Sequence, residues 1–318
     1  MDPALSDRRI AARSAHRSAL GKASGTALGA ALGALALLTA GVAAAPAALA
    51  AAVQVAAQAA VPQAAPLAAP LATETAAAIQ PHRAIYRMSL LSARNSSKVS
   101  DVRGRMMFEW ADACDGWTTE QRFQLRFVYS EGDEMAMNTN YTTWEAKDGL
   151  RYRFNVRKLI NGEVDDDVRG EANLTPNGGT GSAQFTKPEP QEMALPLGTM
   201  FPTAHTLAIL DHARRGENFF SRTVFDGADA DGATEVSTVI GQAGAAKESG
   251  KDALLRDAKA WPVRMAFFPT HSDSAQPEYE MSLRLLQNGI AESMQIDYGD
   301  FTINAVLDKI EALPKSGC

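Results

Sequence analysis

The chain has 318 residues, 31 basic and 37 acidic, with a formal net charge of −6. This acidic balance, with no Lys/Arg run interleaved with aromatics, argues against a nucleic-acid partner. Its two cysteines have no CxxC spacing, which argues against a thiol-based metal or redox centre.

Arg8, Arg9, Arg13, Arg17 and Lys22 form a basic n-region ahead of an uncharged stretch, Ala23 to Ala45, dominated by Ala, Leu, Gly and Val. Small residues follow at Ala43–Ala45 and Ala48–Ala50, so residues 1–50 read as a secretory signal peptide. A retained anchor is the competing reading, because about 20 apolar residues span a bilayer. Alanine and glycine are poor membrane formers, which favours cleavage. Arg8-Arg9 hints at twin-arginine export, but Ile10-Ala11-Ala12 does not continue that pattern. No cysteine lies near the cleavage region to carry a lipid. The expected product is a soluble periplasmic protein that does not span the membrane. Removing a basic leader leaves a body more acidic than the whole chain.

Residues 51–80 are almost wholly Ala, Pro, Gln, Val and Leu, with prolines at 62, 66 and 70, and read as a flexible linker. The body, 81–318, starts at Pro81-His82. Ile85–Leu91 and Val99–Trp110 read as neighbouring strands. In Thr118–Ser130, Phe123, Leu125 and Phe127 alternate with Gln124, Arg126 and Val128, the pattern of a half-buried strand. Glu134–Glu145 follows. Asp148-Gly149 then signals a hairpin into Leu150–Leu159, where Tyr152, Phe154 and Val156 alternate with Arg151, Arg153 and Arg157. Asn161-Gly162 signals another into Glu163–Leu174, and Asn177-Gly178-Gly179 opens a short strand ending near Phe185.

Phe201 to Gly216 is the one convincing helix of the body. Pro202 suits the first turn, where its missing N–H costs nothing. Thr206, Ile209, Leu210 and Ala213 form an apolar stripe that Leu207 widens. Arg214 and Arg215 complement the dipole, and Gly216 suits the C′ stop. Strands resume at Phe219–Phe225, Glu235–Ile240, Trp261–Phe268, Tyr279–Leu286, Ile290–Ile296 and Phe301–Ile310. About thirteen strands at this rhythm, with no βα alternation, predict an all-β fold. A single antiparallel sheet would bend around one amphipathic helix as a half-open barrel.

Cys114 and Cys318, an even pair in an exported protein, are expected to be bridged. Such a bridge would pin a C-terminus that otherwise frays.

No catalytic, cofactor or metal-binding set is recognised. His205 and His212 are seven apart, and convergence on one ion needs i, i+3 or i+4 spacing, so they read as lining the helix–sheet contact or facing solvent. His82 and His271 have no nearby partners. Asp226-Gly-Ala-Asp-Ala-Asp-Gly232 resembles the start of a calcium loop, and Asp165-Asp166-Asp167 is a second carboxylate cluster. Neither has the downstream Glu of an EF-hand loop, so both read as solvated acidic turns. Gly178-Gly-Thr-Gly-Ser182 lacks the Lys and helix of a phosphate loop. Ser272, between His271 and Asp273, is a loop tripeptide, since adjacent residues do not make a triad. Met106, Met107, Phe108, Trp110, Met135, Met137, Phe267, Phe268 and Met294 read either as an ordinary core or as the lining of a concave apolar site. From the helix, Phe201, His205, Ile209 and Leu210 are the expected lining.

Taken together, His82-Arg-Ala-Ile-Tyr86, Glu109-Trp-Ala-Asp-Ala-Cys-Asp-Gly-Trp117, Phe201-Pro-Thr-Ala-His-Thr206 before a helix, and a cysteine at the extreme C-terminus carry a resemblance. Over about residues 81 to 318 the chain resembles the EipB-type periplasmic cell-envelope integrity proteins of α-proteobacteria. The resemblance implies a β-spiral wound around a helix, a disulfide carried onto Cys114 and Cys318, and a non-enzymatic role in the envelope. It also implies a TPR-containing periplasmic protein as a candidate partner. The leading expectation is support of envelope integrity by binding. The alternative is a carrier of lipid or lipoprotein acyl chains in a concave cavity, and a third is a glycan hydrolase, which needs two carboxylates about 5–9.5 Å apart.

Overall fold

The computed structural model describes residues 69–176, 178–247, 252–270 and 274–318. The predicted signal peptide, linker residues 51–68, Asn177 and the 271–273 tripeptide lie outside them. Helix α1 spans Ala69–Ala78 and helix α2 Pro202–Arg215. Between them run β1 (His82–Ala93), β2 (Val99–Asp112), β3 (Gly116–Tyr129), β4 (Glu134–Ala146), β5 (Arg151–Ile160), β6 (Glu163–Leu174), β7 (Gly181–Lys187) and β8 (Gln191–Leu195). After α2 come β9 (Phe219–Val224), β10 (Thr234–Ile240), β11 (Gly244–Ala245), β12 (Lys259–Pro269), β13 (Tyr279–Leu286), β14 (Ala291–Asp297) and β15 (Phe301–Ala312).

All fifteen strands belong to one sheet, in the order β8-β7-β6-β5-β4-β3-β2-β1-β15-β14-β13-β12-β10-β9, with β11 beside β12. Every named pair is antiparallel. The fold is the expected all-β half-open barrel. Hairpin chemistry sets the local path. Asn161 (φ 52°) and Gly162 (φ 86°) supply the two left-handed residues of the β5–β6 turn. The first and last strands meet mid-sheet, His82 opposite Ala312, which joins two meanders into one surface.

The sheet does not close. Its edges, β8 and β9, are consecutive in the chain, and α2 connects them across the gap. The segment after β9 turns against the buried face of the other half. Phe225 packs edge-on to Phe154 with centroids 5.6 Å apart, and the Tyr152 hydroxyl donates to the Asp226 carbonyl at 2.8 Å. Gly227 makes this approach feasible: it has φ 67°, and a Cβ there would lie 2.4 Å from the Phe154 ring.

The structure has two strands more than the sequence suggested. Strand β8 follows Pro188 and Pro190 and is short and largely exposed, and β11 is two residues long. Neither carries an alternation long enough to read. The structure also holds a second helix. Residues 69–78, placed by composition in the linker, form α1, and buried Thr75 and Ile79 dock it on the body. The Thr75 hydroxyl donates to the Asp211 carboxylate, and Arg214 donates to Thr75 Oγ1 at 2.9 Å. An alanine-rich helix has no apolar stripe to announce it, but its small side chains allow close approach. No helix among the described residues is long and apolar enough to cross a membrane.

Of the two acidic clusters read as solvated turns, Asp165–Asp167 is a strand segment whose first two residues are exposed, and Asp226–Gly232 is partly buried. Asp165 and Asp166 lie in β6 and hold the buried Lys158 ammonium at 2.8 and 3.0 Å, and Asp167 pairs with Lys187 at 2.6 Å. Asp226 and Asp229 accept the N–H groups of Ala228 and Asp231, two residues on, in a segment packed against the barrel. Burial of Lys158 at a strand position demanded counter-charges, and β6 supplies them.

Candidate ligand-binding cavity

Strand alternation puts one face of the sheet inward, and α2 lies across it. The helix begins at Phe201, whose side chain makes no cap hydrogen bond. The missing cap comes from the end of β4. Glu145 accepts the Thr203 and Ala204 N–H groups, one on each carboxylate oxygen, both at 2.7 Å. These are orphan donors of the first turn, and a carboxylate there also suits the positive end of the dipole. Burial raises the Glu145 pKa to about 7, although the two N–H bonds pull it back. At the other end Gly216 (φ 74°) closes the helix, with its N–H donating to Ala213 and that of Glu217 to His212.

Between α2 and the sheet lies a cavity of about 200 Å³. His205 and Ile209 reach it from the helix. Phe201 and Leu210 are buried but do not line it. Phe201, extended at the N-cap, stacks on Tyr152 at 4.9 Å, and Leu210 is rotated about 100° from Ile209 into the packed core. Of the methionines and aromatics read from sequence, Met106, Phe108, Trp110, Phe267 and Met294 line the cavity. Met135 and Met137 belong to the surrounding core. Met107 and Phe268 follow inward residues and so point to the opposite face. Met88, Met265 and Met281 complete the wall. Their inward positions on alternating strands were the signal that would have found them.

Polar groups interrupt this apolar wall. Gln121 and His205 are 4% and 6% exposed, and their Oε1 and Nε2 atoms have no hydrogen-bond partner among the described residues. The His205 pKa falls to about 4, through burial first and then the Arg222 and His212 charges. The ring is therefore neutral near pH 7. Asp226 also lines the cavity, and burial, then the Asp229 charge, raises its pKa well above the carboxylate range. Its carbonyl receives both Tyr141 and Tyr152 hydroxyls, which sit 2.7 Å from each other. Among the described residues no lysine or arginine lines this cavity, and Asp226 is its one carboxyl group.

The other histidines are placed by packing. His205 and His212 both contact the Phe220 ring, at centroid distances of 5.6 and 4.2 Å, so both stand at the helix–sheet contact. His82 is buried, with Nδ1 2.7 Å from the Gln80 carbonyl oxygen. Cys114 and Cys318 form a disulfide with Cα atoms 5.8 Å apart, spanning 204 positions. It ties the tail to the β2–β3 turn, while Lys315 donates to the Ala77 carbonyl of α1 at 2.8 Å.

The EipB-like family model matches residues 73–314. The chain is 32% identical over 253 residues to the cell envelope integrity protein EipB of Brucella abortus (strain 2308), covering 77% of this chain and 89% of that protein. The crystal structure of a β-barrel-like protein of a domain of unknown function, also from Brucella abortus, superposes with a TM-score of 0.70 at 32% identity. That match covers 74% of this chain and 99% of the other.

Proposed function

The chain belongs to the EipB-like family, and from that membership we propose that it is a periplasmic, non-catalytic protein that supports cell-envelope integrity by binding. The ligand is an acyl chain of envelope lipid or lipoprotein, held between α2 and the sheet. The observation that carries this reading is the cavity itself, walled by methionine, leucine, isoleucine and aromatic side chains. Methionines adapt their shape to varied apolar partners. A dry cavity of about 150 Å³ with aliphatic and aromatic walls takes up a benzene ring. About 200 Å³ with several flexible methionines suits a chain of medium length. The basic, then apolar, N-terminal leader supports the periplasmic location.

The test is complementation of a deletion strain. Ala305 lies in the cavity wall with its side chain buried, so Ala305→Trp fills the space. Wild type should restore tolerance to detergent and to cell-wall antibiotics, while the filled variant, present at equal level, should not. Full complementation by the filled variant would refute a role for the cavity.

A further inference from the structure

The cavity wall carries both apolar rows and polar groups. Part of it is made of cross-strand rows of apolar lining residues. Met88, Ala305, Met294 and Leu283 stand opposite one another across β1, β15, β14 and β13. Met265, Met281 and Ile296 form the next row across β12, β13 and β14. Polar groups reach the wall from β3, the first turns of α2 and the segment after β9. Gln121 is in register with Tyr141, whose hydroxyl meets the Asp226 carbonyl. Two rows along, Trp117 faces Glu145, which grips the start of α2, the helix that carries His205 to the cavity.

Three polar atoms of the cavity wall lack partners among the described residues, although their side chains are more than nine-tenths buried: Gln121 Oε1, His205 Nε2 and Trp110 Nε1. A buried polar atom left unpaired is costly, so such atoms mark where a ligand group belongs. The charge balance narrows that group. A buried ion needs a counter-charge, and among the described residues no lysine or arginine lines the wall to meet an anion. A cation that acts on His205 is Arg222, whose guanidinium lies over the Phe220 ring and donates to the Ser221 carbonyl. An ammonium would need an ionised Asp226, and burial, then the Asp229 charge, raises the pKa of that carboxyl group. A neutral group that both donates and accepts matches the amide oxygen, the imidazole and the carboxyl group together.

We propose that the cavity takes a single-chain amphiphile with an uncharged hydroxyl- or amide-bearing headgroup, the head at Gln121, His205 and Asp226 and the tail along the methionine rows. This rests on the acyl-chain reading of the cavity and adds the chemistry of the head. The experiment titrates the full chain at pH 7.5 with three probes of equal chain length: 1-monodecanoylglycerol, decanoate and decylammonium. All are used below their micelle concentrations and followed by tryptophan fluorescence, since Trp110 lines the wall. The glycerol ester should bind at least tenfold more tightly than either ion. Equal or tighter binding of decanoate would assign the head to Arg222, equal or tighter binding of decylammonium would assign it to an ionised Asp226, and either overturns the proposal. Binding of none of the three overturns the acyl-chain reading and the proposal with it. Gln121→Leu should weaken the ester by on the order of tenfold, one hydrogen bond lost, and leave decanoate unchanged. His205→Leu tests the same head site independently if the first variant does not fold. An unchanged ester affinity in either folded variant would overturn the assignment.

Discussion

Glu145→Gln keeps the shape of the buried helix cap and removes its titration. In the wild type the Glu145 pKa is raised from 4.5 to about 7, so the folded state binds a proton that the unfolded state has released. The sign follows from linkage: a raised pKa contributes stability that is complete below about 4.5 and is lost as pH rises through about 7. Between pH 5 and pH 8 the loss amounts to about 2–3 kcal/mol, at about 1.4 kcal/mol per unit. Asp229, also raised to about 7 by burial, contributes in the same direction. His205, lowered to about 4, contributes stability present above 6.5 and lost as pH falls towards 4. Both remain in the variant and cancel in the comparison. Urea unfolding of the two proteins at pH 5, 6.5 and 8 is the assay. The wild type should lose about 2–3 kcal/mol more than Glu145→Gln on going from pH 5 to pH 8. Parallel pH profiles, or a wild type that gains on the variant as pH rises, would refute the reasoning.

Three further outcomes follow from the packing. Reducing Cys114–Cys318, or replacing both with serine, should cost on the order of 5 kcal/mol in the chain-entropy account of a 204-residue separation, read as a urea midpoint shift; an unchanged midpoint would count against the bridge as a stabiliser. Leu210→Ala removes a fully buried side chain from tight packing and should cost about 3–5 kcal/mol. Ile209→Ala, which borders existing space, should cost less, and equal losses would contradict the placement of the cavity. Gly227→Ala should cost at least about 1–3 kcal/mol, because its positive φ and the Phe154 ring both oppose a Cβ; a neutral thermal melt would show that the segment after β9 is free to move away.

Strand identity was legible where alternation ran for several residues. Tyr152, Phe154 and Val156 on β5, and Phe123, Leu125 and Phe127 on β3, point inward as their spacing required. Helix α2 was legible from Pro202, its apolar stripe and Gly216. Short or featureless pieces were not: β8 and β11 carry too few residues for a period, and α1 has no stripe. The site was legible only in part. Gln121 continues the inward series of Phe123 and Leu125, so its burial follows from sequence. Its grouping with His205 and Asp226 depends on the curl that brings β9 inside, and no local pattern encodes that. The same holds for Glu145, which caps a helix 58 residues away. A helix starting at Phe201, with no capping side chain, was the available sign that a distant group supplies the cap.

The most direct test of the cavity's role is native mass spectrometry of protein purified from periplasm, wild type beside Ala305→Trp. Wild type should carry a non-covalent adduct of lipid mass, released on collisional activation, and the filled variant should be free of it. Wild type recovered bare under conditions that preserve non-covalent lipid, or an equal adduct on the variant, would contradict the account.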